Sequence, residues 1–323
     1  MKNSKIVIVG CGYWGKNFVR NFSELGVLYC ICEPNEKIAK NFKDIKNLSF
    51  KEVLLDKNID GVILAVPAKH HFEMARRVME ANKHVFVEKP LALKKDEAIT
   101  LIQISKSQNK HLMVGHLLQY HPAFIRLKKL CKDGAIGKIK HINSNRMSLG
   151  KIRTEEDVIW SFAPHDISMI LSLINKTPVE SVYASGNSIF QDKISDIANI
   201  DINFEDNIKA RVSVSWLNPF KEHKLVVTGE EGMIVFDDTR DWNEKIKLFN
   251  IQIDNSIEGF KIIKKERYIT VNEMEPLKEE CIHFLKLINN EAENITDGNE
   301  GLRVLEILTA ASDSLSEDCI INV

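Results

Sequence analysis

The stretch Ile6-Val7-Ile8-Val9-Gly10-Cys11-Gly12-Tyr13-Trp14-Gly15-Lys16-Asn17-Phe18-Val19-Arg20 decides how this chain is read. Four apolar residues run into G-x-G-x-x-G, and a helical pattern follows at once. An apolar run without alternation predicts a strand buried on both faces. The first glycine of such a motif permits the tight turn off the strand, the second lets backbone approach a pyrophosphate, and the third lets the next helix pack close to the sheet. The start of that helix offers unpaired N–H groups and partial positive charge to phosphate. Alone the pattern is weak. Here it follows a strand, opens a helix, and is succeeded by an acid after the next strand, Glu33 in Ile31-Cys32-Glu33-Pro34. That is the position predicted to bond the adenosine ribose hydroxyls. Gly10, Cys11, Gly12, Tyr13, Trp14, Gly15 and Glu33 are therefore expected to hold a dinucleotide. A carboxylate at position 33 repels a 2′-phosphate and no arginine follows it, which favours NAD(H); Lys37 is the nearby cation that keeps NADP(H) open.

Working outward, apolar runs at 6–9, 28–32, 61–66, 84–87 and 111–115 alternate with helical patterns at 14–25, 36–42, 72–81 and 95–107. Strands alternating with helices of this length predict βαβ units and a parallel sheet. After about Tyr120 the rhythm changes. A helix is expected from His121-Pro122 to Lys132, since proline tolerates a first helical turn. Strand-like segments then follow at 139–147, 179–188, 197–204, 208–216, 224–228, 233–237, 245–249 and 260–271, with helices at 162–174, 276–289 and 300–316. Several strands alternate apolar and polar residues, as in Lys209-Ala210-Arg211-Val212-Ser213-Val214-Ser215-Trp216. That is the pattern of a sheet with one covered face. The fold class is α/β: a doubly wound parallel Rossmann sheet over residues 1–120, then an α+β domain over 121–323 with a large, open, mostly antiparallel sheet.

The bulk numbers agree. A chain of 323 residues is long for one domain, and 44% hydrophobic residues suffice for full cores. The net charge of −1, from 44 basic and 45 acidic side chains, suggests neither a nucleic-acid surface nor a membrane-surface stripe. The first apolar run is too short for a signal segment, and no window reaches the length of a membrane span. The six cysteines contain no C-x-x-C pair and read as small buried hydrophobes in a reducing, cytoplasmic setting.

A second constellation is Val87-Glu88-Lys89-Pro90, at the end of the fourth strand. Ligands of open α/β sheets bind beyond the carboxyl ends of the strands, so Lys89 sits where a nicotinamide and a substrate would meet. Taken alone, a lysine at a strand end reads better as a surface residue. Context changes that reading. The glycine motif, then Ala65-Val66-Pro67 with His71 four residues after the proline, then Glu88-Lys89-Pro90, together resemble the glucose–fructose oxidoreductase / inositol dehydrogenase (Gfo/Idh/MocA) family. The resemblance covers the whole chain, including the late Asp297-Gly298…Glu300…Leu305-Glu306 pattern. It implies that Lys89 is catalytic and that Pro67, His71, Glu88, Lys89 and Gln119 lie on the cofactor side; Gln119 stands where the family usually has arginine. The family's second signature, Asp or Asn followed after three residues by His, appears here as Ser161-Phe162-Ala163-Pro164-His165. Ser161 can bond a sugar hydroxyl or cap a helix but cannot be an ionised base. Proton chemistry therefore falls on His165 and Lys89, and either can be the base.

Residues 145–153 and 160–167 further resemble a bacterial subgroup that oxidises UDP-N-acetylglucosaminuronic acid at C3 in surface-polysaccharide synthesis. Arg146, Lys151 and Arg153 suit an anionic substrate, because guanidinium forks match carboxylate and phosphate oxygens. Basic residues beside a strand equally read as solvated. Lys89, Arg146, Lys151, Arg153, Ser161 and His165 are the substrate-side candidates. Rival functions are a polyol or inositol-type dehydrogenase, a 3-ketosugar reductase, and an NAD(H)-binding regulatory protein. Adjacent pairs such as His70/His71 or His165/Asp166 face different ways on a helix, so no metal is expected. Alternating strands need cover, and the resemblance implies a homodimer or homotetramer through the C-terminal sheet.

Overall fold

The computed structural model describes residues 4–150, 152–174, 177–257 and 259–323. Lys151, one of the substrate-side candidates, lies outside them. The described chain forms two compact units. One runs through Tyr120 and includes Glu275–Leu305; the other comprises His121–Met274 and Glu306–Val323.

In the first unit β1 (Ile6–Val9), β2 (Leu28–Cys32), β3 (Gly61–Leu64), β4 (His84–Glu88) and β5 (Leu112–Gly115) form a sheet in the order β2-β1-β3-β4-β5. Every neighbouring pair is parallel. The strands are joined by α1 (Gly15–Glu24), α2 (Glu36–Ala39), α3 (Phe50–Leu55), α4 (His71–Glu80) and α5 (Lys95–Ser107). The expected strand at 61–66 stops at Leu64, which frees Ala65-Val66-Pro67 as a loop at the sheet's carboxyl end. The helix expected at 36–42 breaks into α2 and a 3₁₀ turn, Lys40–Phe42. Sequence periodicity missed α3. Its start carries a capping box: Ser49 Oγ accepts from Glu52 N at 3.3 Å and Glu52 Oε2 accepts from Ser49 N at 2.8 Å.

The second unit opens with α6 (Pro122–Lys132), whose start is capped by His121 Nδ1 accepting from Ala123 N at 3.1 Å. Its sheet contains β6 (Ile139–Leu149), β7 (Val179–Asn187), β8 (Ile197–Phe204), β9 (Ile208–Ser215), β10 (Leu217–Gly229), β11 (Gly232–Asp237), β12 (Ile246–Ile257), β13 (Gly259–Ile269) and β14 (Ile321–Asn322). The order is β13-β12-β11-β10-β6-β9-β8-β7-β14. Among the described residues only the β6–β9 pair of this sheet is parallel. Helix α7 (Val158–Leu173) packs on β9 and β6. It begins a turn earlier than its apolar pattern suggests, because Asp157 accepts from Trp160 N at 3.0 Å and caps it. Along β8, Ala198, Ile200, Ile202 and Phe204 are buried. The intervening positions make polar contacts on the other face, as where Asp201 pairs with Arg211 at 2.7 Å.

Between β13 and β14 lie α8 (Pro276–Ile288) and α9 (Gly298–Glu317). Residues 275–305 pack with the Rossmann sheet rather than within the 121–323 domain where the sequence pattern places them. The reason is the apolar face of α8. Leu277, Cys281, Phe284 and Leu285 join one buried cluster with Ile6, Phe18 and Phe86, and the Phe284 and Phe86 rings meet edge to face at 5.7 Å. Fully burying each such side chain contributes about 1.5–3 kcal/mol. Gly61 permits the approach, since a Cβ there would stand 2.8 Å from Ile288 Cδ1 and 2.9 Å from Phe284 Cε1. No helix among the described residues is long and apolar enough to cross a membrane.

Candidate active site

The site of the first unit starts where β1 ends. Gly10 has φ +85°, and a Cβ there would lie 2.5 Å from the Ala65 carbonyl oxygen. At Gly15 a Cβ would meet Gly10 O at 1.9 Å, so only glycine lets α1 start so close to the strand. At Gly12 a Cβ would meet nothing within 4 Å. The middle glycine thus faces open space, as a cradle for a pyrophosphate must. The start of α1 carries no side-chain cap; within its first turn Lys16 N and Asn17 N donate to the Gly12 and Trp14 carbonyls at 3.2 and 2.9 Å.

Beside the cradle lies a cavity of about 750 Å³ whose lining includes Gly10, Gly12, Glu33, Glu36, Pro67 and His70. Glu33 is 8% exposed at its edge. Its Oε2 accepts from Cys11 N and its Oε1 from Asn35 N, both at 2.8 Å. Asn47 holds the Glu33 backbone at both ends, accepting from its N and donating to its O at 3.0 Å. Glu33 therefore fastens the glycine loop to β2 and lines the cavity. These features fit the adenosine half of a dinucleotide. His70 is exposed and lines this cavity.

The other cofactor-side candidates separate by environment. The Cys11 thiol is buried and pushed up to about 12, chiefly by burial and then by Glu33, so it packs rather than reacts. Tyr13 is 87% exposed. Trp14 turns from the loop to donate its Nε1–H to Glu88 Oε1 at 2.6 Å. His71 is buried, not on the cavity wall. Its Nδ1 lies 2.6 Å from Pro90 O and its Nε2 2.8 Å from Val66 O. The ring thus spans the loop after β3 and the turn after β4. Burial lowers its pKa, against those two carbonyls, which favour the protonated ring. Gln119 is buried in the 3₁₀ turn Leu117–Tyr120.

Lys89 follows β4 immediately and is half-buried, with a cis peptide bond to Pro90. Glu88 Oε2 accepts from Lys89 N at 3.2 Å. Burial raises the Glu88 pKa, opposed by the Trp14 bond and by the Lys89 charge. Beyond β5, His116 Nδ1 pairs with Glu300 Oε2 at 2.5 Å.

In the second unit, α7 carries Ser161, buried, and His165, half-buried one helical turn later. Next to His165 stands Asp166, which the sequence raised only as half of an adjacent metal-ligand pair. It accepts from Arg146 Nε at 2.6 Å and from Ser144 Oγ at 2.6 Å. Arg146 is thereby committed to a buried ion pair that clamps α7 to β6, a placement different from the substrate contact expected of it. The alternation of β6 put Ser144 and Arg146 on one face, but nothing in sequence tied that face to residue 166. The neighbouring His223 is driven down to about 4, first by burial and then by Arg146. Arg153 is exposed and pairs with Glu156 at 2.7 Å. Among the described residues no cluster of His, Cys, Asp or Glu is placed to hold a metal ion.

The class defined by this sheet, cradle and strand-end lysine is a dinucleotide-binding oxidoreductase. Residues 4–116 match the oxidoreductase family with the NAD-binding Rossmann fold, and residues 124–235 match the Gfo/Idh/MocA C-terminal domain. The chain belongs to the Gfo/Idh/MocA oxidoreductase family and is an NAD-dependent dehydrogenase. Among its relatives, the UDP-N-acetylglucosamine 3-dehydrogenase of Acidithiobacillus ferrooxidans is 26% identical over 64% of this chain and 66% of its own. The myo-inositol 2-dehydrogenase of Thermotoga maritima is 24% identical over 97% of this chain and 96% of its own. The solved structure of the Acidithiobacillus enzyme matches with a TM-score of 0.83 over 97% of this chain and 98% of its own, at 20% identity, which establishes the fold.

Proposed function

We propose that this enzyme oxidises the C3 hydroxyl of a UDP-N-acetylglucosaminuronic acid-type nucleotide sugar, in the cytoplasmic assembly of bacterial surface polysaccharide. The observation that carries the reading is the relationship to a UDP-N-acetylglucosamine 3-dehydrogenase, joined to a strand-end Lys89 and a helical His165. NAD supplies the hydride acceptor when bound. His165 takes the hydroxyl proton as general base. Lys89 stabilises the developing alkoxide with its positive charge. Ser161 serves as a hydroxyl partner for the sugar, and Gln119 stands beside the nicotinamide. Arg153, held by a single surface carboxylate, is the cation a substrate carboxylate would engage by displacing Glu156. Arg146 acts one step back, through Asp166, by holding the helix that bears His165. The open face of the second unit's sheet supports assembly into a homodimer or homotetramer.

The test is a panel of UDP- and dTDP-sugars, with and without a 6-carboxylate, followed by NADH absorbance. Turnover of the UDP-N-acetylated, carboxylated sugar above the rest is the expected result. A second reading, an inositol-type dehydrogenase, is favoured by the full-length span of the myo-inositol relative. Turnover of myo-inositol with none of the nucleotide sugars would establish it instead.

A further inference from the structure

We propose that Glu88 is the positioning residue that keeps the Lys89 amine protonated and its backbone in place, and that the Trp14 indole holds Glu88 in that role; this rests on Lys89 acting in the reaction. The glycine loop and the turn after β4 are far apart in sequence, yet one carboxylate joins them. Glu88 Oε1 accepts from Trp14 Nε1 at 2.6 Å and Oε2 accepts from Lys89 N at 3.2 Å. β5 presses on the same group, since a Cβ at Gly115 would stand 3.1 Å from Glu88 Cδ and Oε2. The carboxylate cannot swing away without abandoning both donors.

The charged and titratable groups around Glu88 are Lys89 on its own turn, His116 after β5 with its partner Glu300, and Glu280 and Cys281 on α8. Burial works against ionised Glu88, and the Trp14 bond is the largest contact opposing it. A short bond from a neutral N–H to an ionised acceptor belongs to the strong class of hydrogen bonds. Losing the indole N–H therefore favours protonated Glu88, which has the same electrostatic effect on Lys89 as replacing the carboxylate by an amide. In either case the Lys89 ammonium loses the negative charge it interacts with and gives up its proton more readily.

The experiment reads Lys89 directly, without substrate. The purified full chain is pulse-labelled with acetic anhydride across a pH series, and acetylation of the Lys89 peptide is quantified by mass spectrometry to give its titration midpoint. Trp14→Phe and Glu88→Gln should each lower that midpoint by roughly 1–3 pH units, the range for one close opposite charge. The double variant should fall no further than the larger single shift. Trp14 is 38% exposed, so Trp14→Phe carries the test even where Glu88→Gln fails to fold; circular dichroism checks both. A midpoint unmoved in Trp14→Phe, or two shifts that add in the double variant, would overturn the coupling. Full turnover in Lys89→Ala would instead defeat the functional reading, whatever the labelling shows.

Discussion

Glu280 offers the sharpest test of the packing argument. It lies on α8, 1% exposed, and neither carboxyl oxygen has a hydrogen-bond partner among the described residues. Replacing it with methionine keeps the chain length and removes the orphaned group. A buried acceptor without a partner costs about 1–3 kcal/mol, so Glu280→Met should stabilise the first unit by that amount. At about 2–4 °C per kcal/mol for a unit of this size, the midpoint should rise by roughly 2–12 °C. The gain must also depend on pH. Burial, and then the neighbouring Glu88, raise the Glu280 pKa well above the ordinary carboxylate value. Below ~4.3, the unfolded value, both states carry the proton and titration costs nothing. Above it the unfolded chain ionises first and binds fewer protons than the folded one, so wild-type stability falls as pH rises until the folded carboxyl ionises too. The advantage of Glu280→Met should therefore be smallest near pH ~4 and widen through neutrality. Thermal melts followed by circular dichroism across a pH series measure this. A methionine variant that melts at or below wild type at every pH, or a gap that does not widen, refutes the reasoning.

Three further outcomes follow from the site. Lys89→Ala and His165→Ala should each lose roughly 10²–10⁴ in kcat, the usual weight of one acid–base group, while NADH fluorescence shows the cofactor still bound. Glu33→Ala should weaken NAD binding and narrow the preference over NADP, because it removes the carboxylate on the cavity wall that repels a 2′-phosphate; titration with both cofactors checks this, and a wild type binding both equally would contradict it. Asp166→Ala should destabilise the second unit by about 3–5 kcal/mol in urea denaturation, since it leaves the Arg146 guanidinium buried without its anion.

Much of the fold was legible because its signals are local. The continuous apolar runs at β1 and β3 and the glycine spacing between β1 and α1 lie within a few residues of the structures they specify. The capping box that starts α3 was equally readable, in Ser49-Phe50-Lys51-Glu52, and was overlooked because the apolar period there is short. The candidate site was only partly legible. Motif spacing pointed to Glu33, and the family resemblance to Lys89 and His165, but neither gave their partners.

By itself, then, the chain's sequence determined a dinucleotide cradle, a parallel sheet and a second sheet with one covered face, since each depends on backbone sterics and on periodicity between near neighbours. Tertiary structure alone decided that residues 275–305 pack with the first unit. It also decided that Trp14 reaches Glu88, that Arg146 is bound to Asp166, and that His71 spans two carbonyls instead of lining the cavity. These pairings join residues between 5 and 74 positions apart. Nothing in local propensity selects one such partner over another; the choice is made when apolar faces are buried and the polar groups carried inward must find one another.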